Sequence, residues 1–188
     1  MSEHQQPLQN LKDHFLVASP WLGDPNFHGG IVYICDHGDD GTFGLLINQP
    51  LDVSLGEILE QLDMDGGHLE VPVFAGGPVQ QERGFVLHPP GGDWQSSVAV
   101  SDCIQVTTSR DILQAIGNDA GPERYLVALG YAGWSAGQLE EELAGNAWLA
   151  CPASDVLLFD TPWQDRYKSV LARMGIDPGQ LDQSVGHA

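Results

Sequence analysis

The chain has 188 residues, 42 % hydrophobic and only 18 % charged, which suits one domain around one core. Seven Lys+Arg against 26 Asp+Glu leave a net charge of −19. The scattered basic residues (Lys12, Arg83, Arg110, Arg124, Arg166, Lys168 and Arg173) form no stripe, which argues against direct binding of nucleic acid or of an anionic membrane.

Residues 1–10 are polar and read as a disordered tail without the apolar segment of a signal peptide. No apolar run approaches the ~20 residues of a membrane span. Three widely spaced cysteines, Cys35, Cys103 and Cys151, fit reduced thiols in the cytoplasm better than a disulfide framework. The expected domain runs over residues 11–188.

Phe15 to Ala18 predicts a first strand, closed by Ser19-Pro20, and Gly23 to Gly30 a loop. Ile31 to Cys35 and Phe43 to Ile47 flank Gly38-Asp39-Asp40-Gly41, the pattern of a hairpin. Both runs are apolar throughout, as in well-covered central strands. Ser54 and Glu57 form a capping box before a helix carrying Leu55, Ile58, Leu59 and Leu62, stopped by Gly66-Gly67.

Val71 to Phe74 predicts a strand, with Pro72 favouring an edge position. Phe85 to His88 predicts another, and Val98–Val100 with Ile104–Thr107 a strand pair. A second helix is expected from Thr108-Ser109 to Gly117. Tyr125 to Tyr131 reads as a third buried strand. Ser135 and Gln138 form a second capping-box pattern, opening a helix whose stripe is Leu139, Leu143 and Ala147 and whose Glu140, Glu141 and Glu142 face mostly water. Trp148–Cys151 and Val156–Phe159 read as short strands. Thr161, Pro162 and Gln164 open the last helix, with Trp163, Tyr167, Val170, Leu171 and Met174 on one face and Gly175 at its end. The tail from Gln180 reads as loose. Strands outnumber helices and hairpin turns recur. The expected class is α+β: one domain, a mixed and largely antiparallel sheet, and about four flanking helices.

Candidate functional residues fall into four groups. Cys35 and His37, two apart on a strand, would share a face and could pair as metal ligands or as an activated thiolate; that reading requires an exposed sulfur. No second pair completes four ligands, so no metal or other cofactor is expected. Gly76-Gly77-Pro78 lacks the lysine of a phosphate loop and reads better as a turn needing positive φ. Arg83, Ser109 and Arg110, with His88 before its Pro/Gly turn, could hold an anionic ligand around that turn if they converge on one pocket. Tyr131, Trp134, Gln138 and Glu142 could line a pocket or a partner surface. No Gly-x-Ser-x-Gly elbow exists, and capping accounts for Ser135. No catalytic residue is assigned.

Taken in order, several segments resemble the AlgH/YqgE family of small bacterial proteins. They are Phe15 to Pro20 with Asp24-Pro25-Asn26-Phe27, Val32 to His37, and Gly44 to Pro50. Gly76 to Val79, Arg83 to His88 and Thr107 to Asp111 follow. Leu129 to Trp134, Gly137 to Glu140, Asn146 to Leu149 and Gly186-His187-Ala188 complete the match. The resemblance implies a sheet curled toward a barrel. It also implies a link to regulation, since members are described as candidate transcriptional regulators, the name coming from alginate production. It carries no reaction, cofactor or catalytic residue. The function expected is that of a non-enzymatic regulatory or accessory protein acting through a protein partner or small ligand. The alternative is a small-molecule or nucleotide-binding protein, or an enzyme, built around Gly76–Pro78, Arg83, His88 and Arg110.

Overall fold

Short β-rich runs punctuated by glycine and proline dominate the chain. The computed structural model, which describes residues 10–19 and 29–176, assembles ten of them into one sheet. The strands are β1 (His14–Ala18), β2 (Ile31–Gly38), β3 (Gly41–Leu46), β4 (Pro50–Ser54) and β5 (Pro72–Ala75), then β6 (Val79–His88), β7 (Ser97–Ala99), β8 (Gln105–Thr107), β9 (Leu126–Ser135) and β10 (Trp148–Pro152). Five helices, α1 (Leu55–Gln61), α2 (Arg110–Gly117), α3 (Gln138–Ala144), α4 (Asp155–Phe159) and α5 (Trp163–Arg173), flank them. The class is α+β in a single domain, as expected, with five helices where about four were anticipated.

The main path through the sheet is β10-β1-β2-β3-β9-β6-β8-β7, and β5 joins β9 with β4 outside it. The pairs are antiparallel except β5 on β9. The sheet curls into a half-barrel. The inner face holds Phe15, Tyr33, Leu45, Phe85 and Leu87 under α4 and α5. The outer face is covered in two patches, one under α3 and one under α1 and α2. Tyr33 is fully buried and donates its hydroxyl to Asp13 at 2.7 Å, and burial pushes its ionisation far up.

The joint of the half-barrel is Gly76. Its N–H donates to Leu129 of β9 and its carbonyl accepts from Leu46 of β3, both at 2.8 Å. Neither Gly76 nor Gly77 has positive φ, contrary to the turn expected there. They are glycines because backbones cross there: a Cβ would lie 2.3 Å from the Gly130 carbonyl at Gly76 and 2.1 Å from the Tyr131 carbonyl carbon at Gly77.

Several expectations are corrected. Strand β5 is not an edge: it lies between β4 and β9, and Pro72 is tolerated as its first residue. The capping box of α1 forms as expected, but the helix ends at Gln61, before Gly66-Gly67. Val156–Phe159 lies in a helix, because the Ser154 hydroxyl accepts from the Leu157 N–H at 3.4 Å; a short apolar run cannot be told from a strand by periodicity. Strand β9 runs on through Ser135, and Gly137, at φ 79, is the N-cap of α3. Ser135 still donates its N–H to Gln138 Oε1 at 3.0 Å, half of the expected box. Pro162 rather than Thr161 is the N-cap of α5; the Thr161 hydroxyl donates to the Val156 carbonyl. Residues 1–9, 20–28 and 177–188, with the tails and the Asp24–Phe27 and Gly186–Ala188 segments, lie outside the described residues.

Arg166, which the apolar stripe predicted for α5 does not include, is buried on that side of the helix. It donates to the Ile47 and Leu158 carbonyls and lies 5.1 Å over the Phe74 ring. Burial pushes its pKa down to about 10.

Gly77→Ala is expected to destabilise by more than about 3 kcal/mol, because the new methyl meets backbone that cannot yield. Gly84→Ala, whose Cβ would meet only a Leu129 methyl at 3.9 Å, is expected to stay within about 1 kcal/mol of the parent. Urea midpoints of the two variants check the contrast.

Candidate functional site

Side chains on a strand alternate between faces, so residues 83, 85 and 87 of β6 share one side of the sheet. Phe85 and Leu87 belong to the inner core, and Arg83 stands over the Phe85 ring, 5.3 Å from its centroid. Strand β6 pairs with β9 at Val79–Tyr131 and again at Gly84–Leu129, five steps along β6 against two along β9. Gln80, at φ 46, starts that excursion, which carries Arg83 to the mouth of an inner-face cavity.

The cavity measures about 440 Å³. Phe43, Phe85 and Tyr131 form its floor, with centroids 5.8–6.1 Å apart and two of the three contacts edge-to-face. Val98 and Val106 form a wall, and the buried Cys35 also borders the cavity. Lys12, Asp36 and Arg83 line the rim with Ser96 and Thr108. Val98, on edge strand β7, is 62 % exposed. Two of the seven cations of an acidic chain thus stand at an aromatic floor. Such an arrangement suits a flat apolar molecule carrying negative charge.

The other anion-site candidates do not join Arg83. Ser109 and Arg110 line a separate cleft on the opposite face. Gly76 and Gly77 are packed against β9 with the Gly76 amide already bonded. His88 is fully buried. The Pro89 carbonyl can only accept, so His88 Nδ1 carries the proton toward it at 2.8 Å. Nε2 then accepts from the Thr107 hydroxyl at 2.7 Å, which in turn accepts from Ser97 at 2.9 Å. Burial pulls the His88 pKa down, which favours the neutral ring.

The side chains of the second candidate group split by the same alternation, although Tyr131 and Trp134 both border a shallow surface depression beside Gly133. Tyr131 faces the inner cavity, whereas Trp134 faces α3. Trp134 and Trp148 meet edge to face at 5.7 Å. Both indole N–H groups donate to Glu142 Oε1, at 3.0 and 2.7 Å, and Gln138 donates to Oε2 at 2.9 Å. Glu142, expected from the sequence to face mostly water, is instead half-buried and locks α3 onto β9 and β10.

Cys35 and His37 do not share a face. The pairing of β2 with β3 shifts between Ile34 and Asp36, and the extra residue turns His37 to the outer side. There Leu11 donates its N–H to His37 Nδ1 at 2.8 Å, leaving the Nε2 proton facing Glu140 at 3.6 Å. Cys35 is 2 % exposed, and burial pushes its thiol well above the ordinary range. This opposes a reactive thiolate. Among the described residues no group of three or more His, Cys, Asp or Glu could hold a metal, and no helix is long and apolar enough to cross a membrane.

Lys12, Asp36, Phe43, Phe85, Ser96, Val98, Val106 and Thr108 were not anticipated at the site. Period-two alternation places Phe85 with Arg83, but Phe43 and Val106 reach the floor and wall only through strand pairing.

Fold and cavity together define a single-domain α+β half-barrel protein with an aromatic-floored cavity on its inner face. The chain belongs to the AlgH-like family, whose profile matches residues 15–179. A UPF0301 protein of Hahella chejuensis is 52 % identical over 181 residues, 96 % of this chain and 98 % of the relative. A UPF0301 protein of Chromobacterium violaceum is 48 % identical over 182 residues, 95 % and 98 % of the two chains. The solution structure of the AlgH protein from Pseudomonas aeruginosa is similar with a TM-score of 0.79 and 44 % identity, covering 96 % and 97 %. A protein from Corynebacterium diphtheriae, 19 % identical, shares the fold with a TM-score of 0.71 over 96 % and 92 %.

Glu142→Leu leaves two indole N–H groups without their acceptor and is expected to destabilise by roughly 3 kcal/mol, with a shift in tryptophan emission on the folded protein; urea unfolding followed by fluorescence checks both. His88 gives a pH dependence of definite sign. Its folded pKa lies below the unfolded value, so its contribution is present above 6.5 and is lost as pH falls through the folded value. Urea midpoints are expected to drop between about pH 7 and about pH 5 more steeply for the parent than for His88→Gln.

Proposed function

We propose that this protein is a non-enzymatic accessory protein of the bacterial cytoplasm. It takes a small anionic molecule with a flat apolar body into the inner-face cavity and presents the occupied state to a protein partner. The observation that carries the reading is the convergence of Lys12 and Arg83 on the Phe43, Phe85 and Tyr131 floor, in a chain with only seven cations. Arg83 makes no ion pair among the described residues, so its charge is available to a ligand. Exposed Val98 stands beside the mouth on edge strand β7, where a partner would sense whether the cavity is filled. Regulation through a partner fits the net charge of −19 better than direct contact with DNA.

Naphthoate is a suitable probe, with naphthamide as its uncharged control. Naphthoate is expected to move the methyl resonances of Val98 and Val106, and Arg83→Gln to weaken it about tenfold while leaving naphthamide unchanged. Millimolar naphthoate without a shift at either valine would rule the ligand out of this cavity.

A further inference from the structure

The outer face carries a second cleft, of about 380 Å³, where α1 and α2 stand over β6 and β9. Its apolar lining is aliphatic, in contrast to the aromatic floor across the sheet, and Gln61, Thr107 and Thr108 add polar groups. Ile58 and Leu62 come from α1, Leu113 from α2, and Val86, Val127 and Leu129 from the sheet. Ile58, Leu62, Leu113 and Leu129 are only half-buried, so an apolar chain laid there would remove more of their surface from water. The space lies above Gly84, where an added Cβ would meet only Leu129 Cδ2, at 3.9 Å.

One cation stands at the mouth. Arg110 is exposed, and its sole described contact is a 3.5 Å approach of Nη2 to the Leu62 carbonyl. It makes no ion pair among the described residues. Ser109 beside it is committed, donating to Asp111 Oδ1 and accepting from the Ser96 N–H, so the head group is left to Arg110. Glu82 also lines the cleft. One guanidinium opposed by one carboxylate suits a singly charged head and disfavours a polyphosphate. Without an aromatic side chain in the lining, there is no stacking platform for a flat ring.

The geometry points to this cleft as a second binding site, for a linear aliphatic monocarboxylate. Its chain lies over Gly84 among the leucines and valines, and its carboxylate meets the Arg110 guanidinium. The site opens on the other side of the sheet from the inner cavity and shares only Thr108 with it.

Methyl-labelled full-length protein titrated with decanoate, with decanol as the uncharged control, tests this. Decanoate is expected to move the methyl resonances of Leu113 and Leu129 and to leave Val98 and Val106 in place. Arg110→Gln, at an exposed position, is expected to weaken decanoate about tenfold and decanol hardly at all. Gly84→Leu is expected to abolish both while its amide spectrum stays dispersed and naphthoate still behaves as in the parent. The proposal is overturned if millimolar decanoate moves no methyl, if it moves only Val98 and Val106, or if Arg110→Gln binds decanoate as tightly as the parent. A failure of naphthoate alone strikes the inner cavity and leaves this site standing.

Discussion

Everything in this half-barrel hangs on the closeness with which the Gly76-Gly77 backbone passes Gly130-Tyr131. Before the crossing, residues 127–129 of β9 lie between β5 and β6; after it, residues 132–135 pair with β3. A strand can change neighbours in this way only if the departing strand finds another set of backbone partners. Gly76 provides them, with its N–H on β9 and its carbonyl on β3. A side chain at either glycine would push the backbones beyond hydrogen-bonding distance and leave buried amide groups unpaired. Gly130, at φ 78, supplies the matching bend in β9.

That crossing also separates the two cavities. The inner face continues across it, so Phe43 of β3, Tyr131 of β9 and Phe85 of β6 meet on one floor although they are distant in sequence. The outer face is divided: Trp134 and Trp148 are sealed beneath α3 through Glu142, and Val86 and Val127 lie beneath α1 and α2. The α3 patch is closed by charge-assisted hydrogen bonds to both indoles, while the α1 and α2 patch buries Leu55 and Leu59 but leaves Leu62, Leu113 and Leu129 half-covered. The first therefore stabilises the fold, and the second has room for a guest.

The sequence was legible where a signal is local. The Ser54–Glu57 box, the β2–β3 hairpin and the buried stripe of α5 are each set within a few residues, and all three form. It was misread where one extra residue changes a face. Cys35 and His37 look like a same-side pair under strict alternation, and only the slip against β3 sends His37 to Glu140. Pro72 looks like an edge marker because the rule concerns strand interiors, and it sits at the first residue. The cavity floor was the least legible part, because its rings come from three strands whose register is fixed by tertiary pairing. Arg83 was recognisable as a scarce cation, but grouping it with His88 and Arg110 ignored that β6 presents positions 83 and 88 to opposite faces.

The economy of positive charge gives the final argument. Arg166 is held by two backbone carbonyls and a ring, deep in the core, where it pins α5 to the strand end at Ile47. Arg124 is matched by Asp155 and Asp160, with the Asp160 contact bidentate. These two guanidinia are engaged within the fold. Arg83 and Arg110 are held differently: each is exposed, each makes no described ion pair, and each stands at the mouth of a cavity on its own side of the sheet. In a chain with 26 carboxylates, nearby acidic side chains would readily pair such groups. With Asp36 beside one and Glu82 beside the other but neither in a described ion pair, the two arginines keep donors at the cavities, where on the proposed reading an incoming anion would gain the interaction. The aromatic floor under one and the aliphatic side chains beside the other would then select which anion stays.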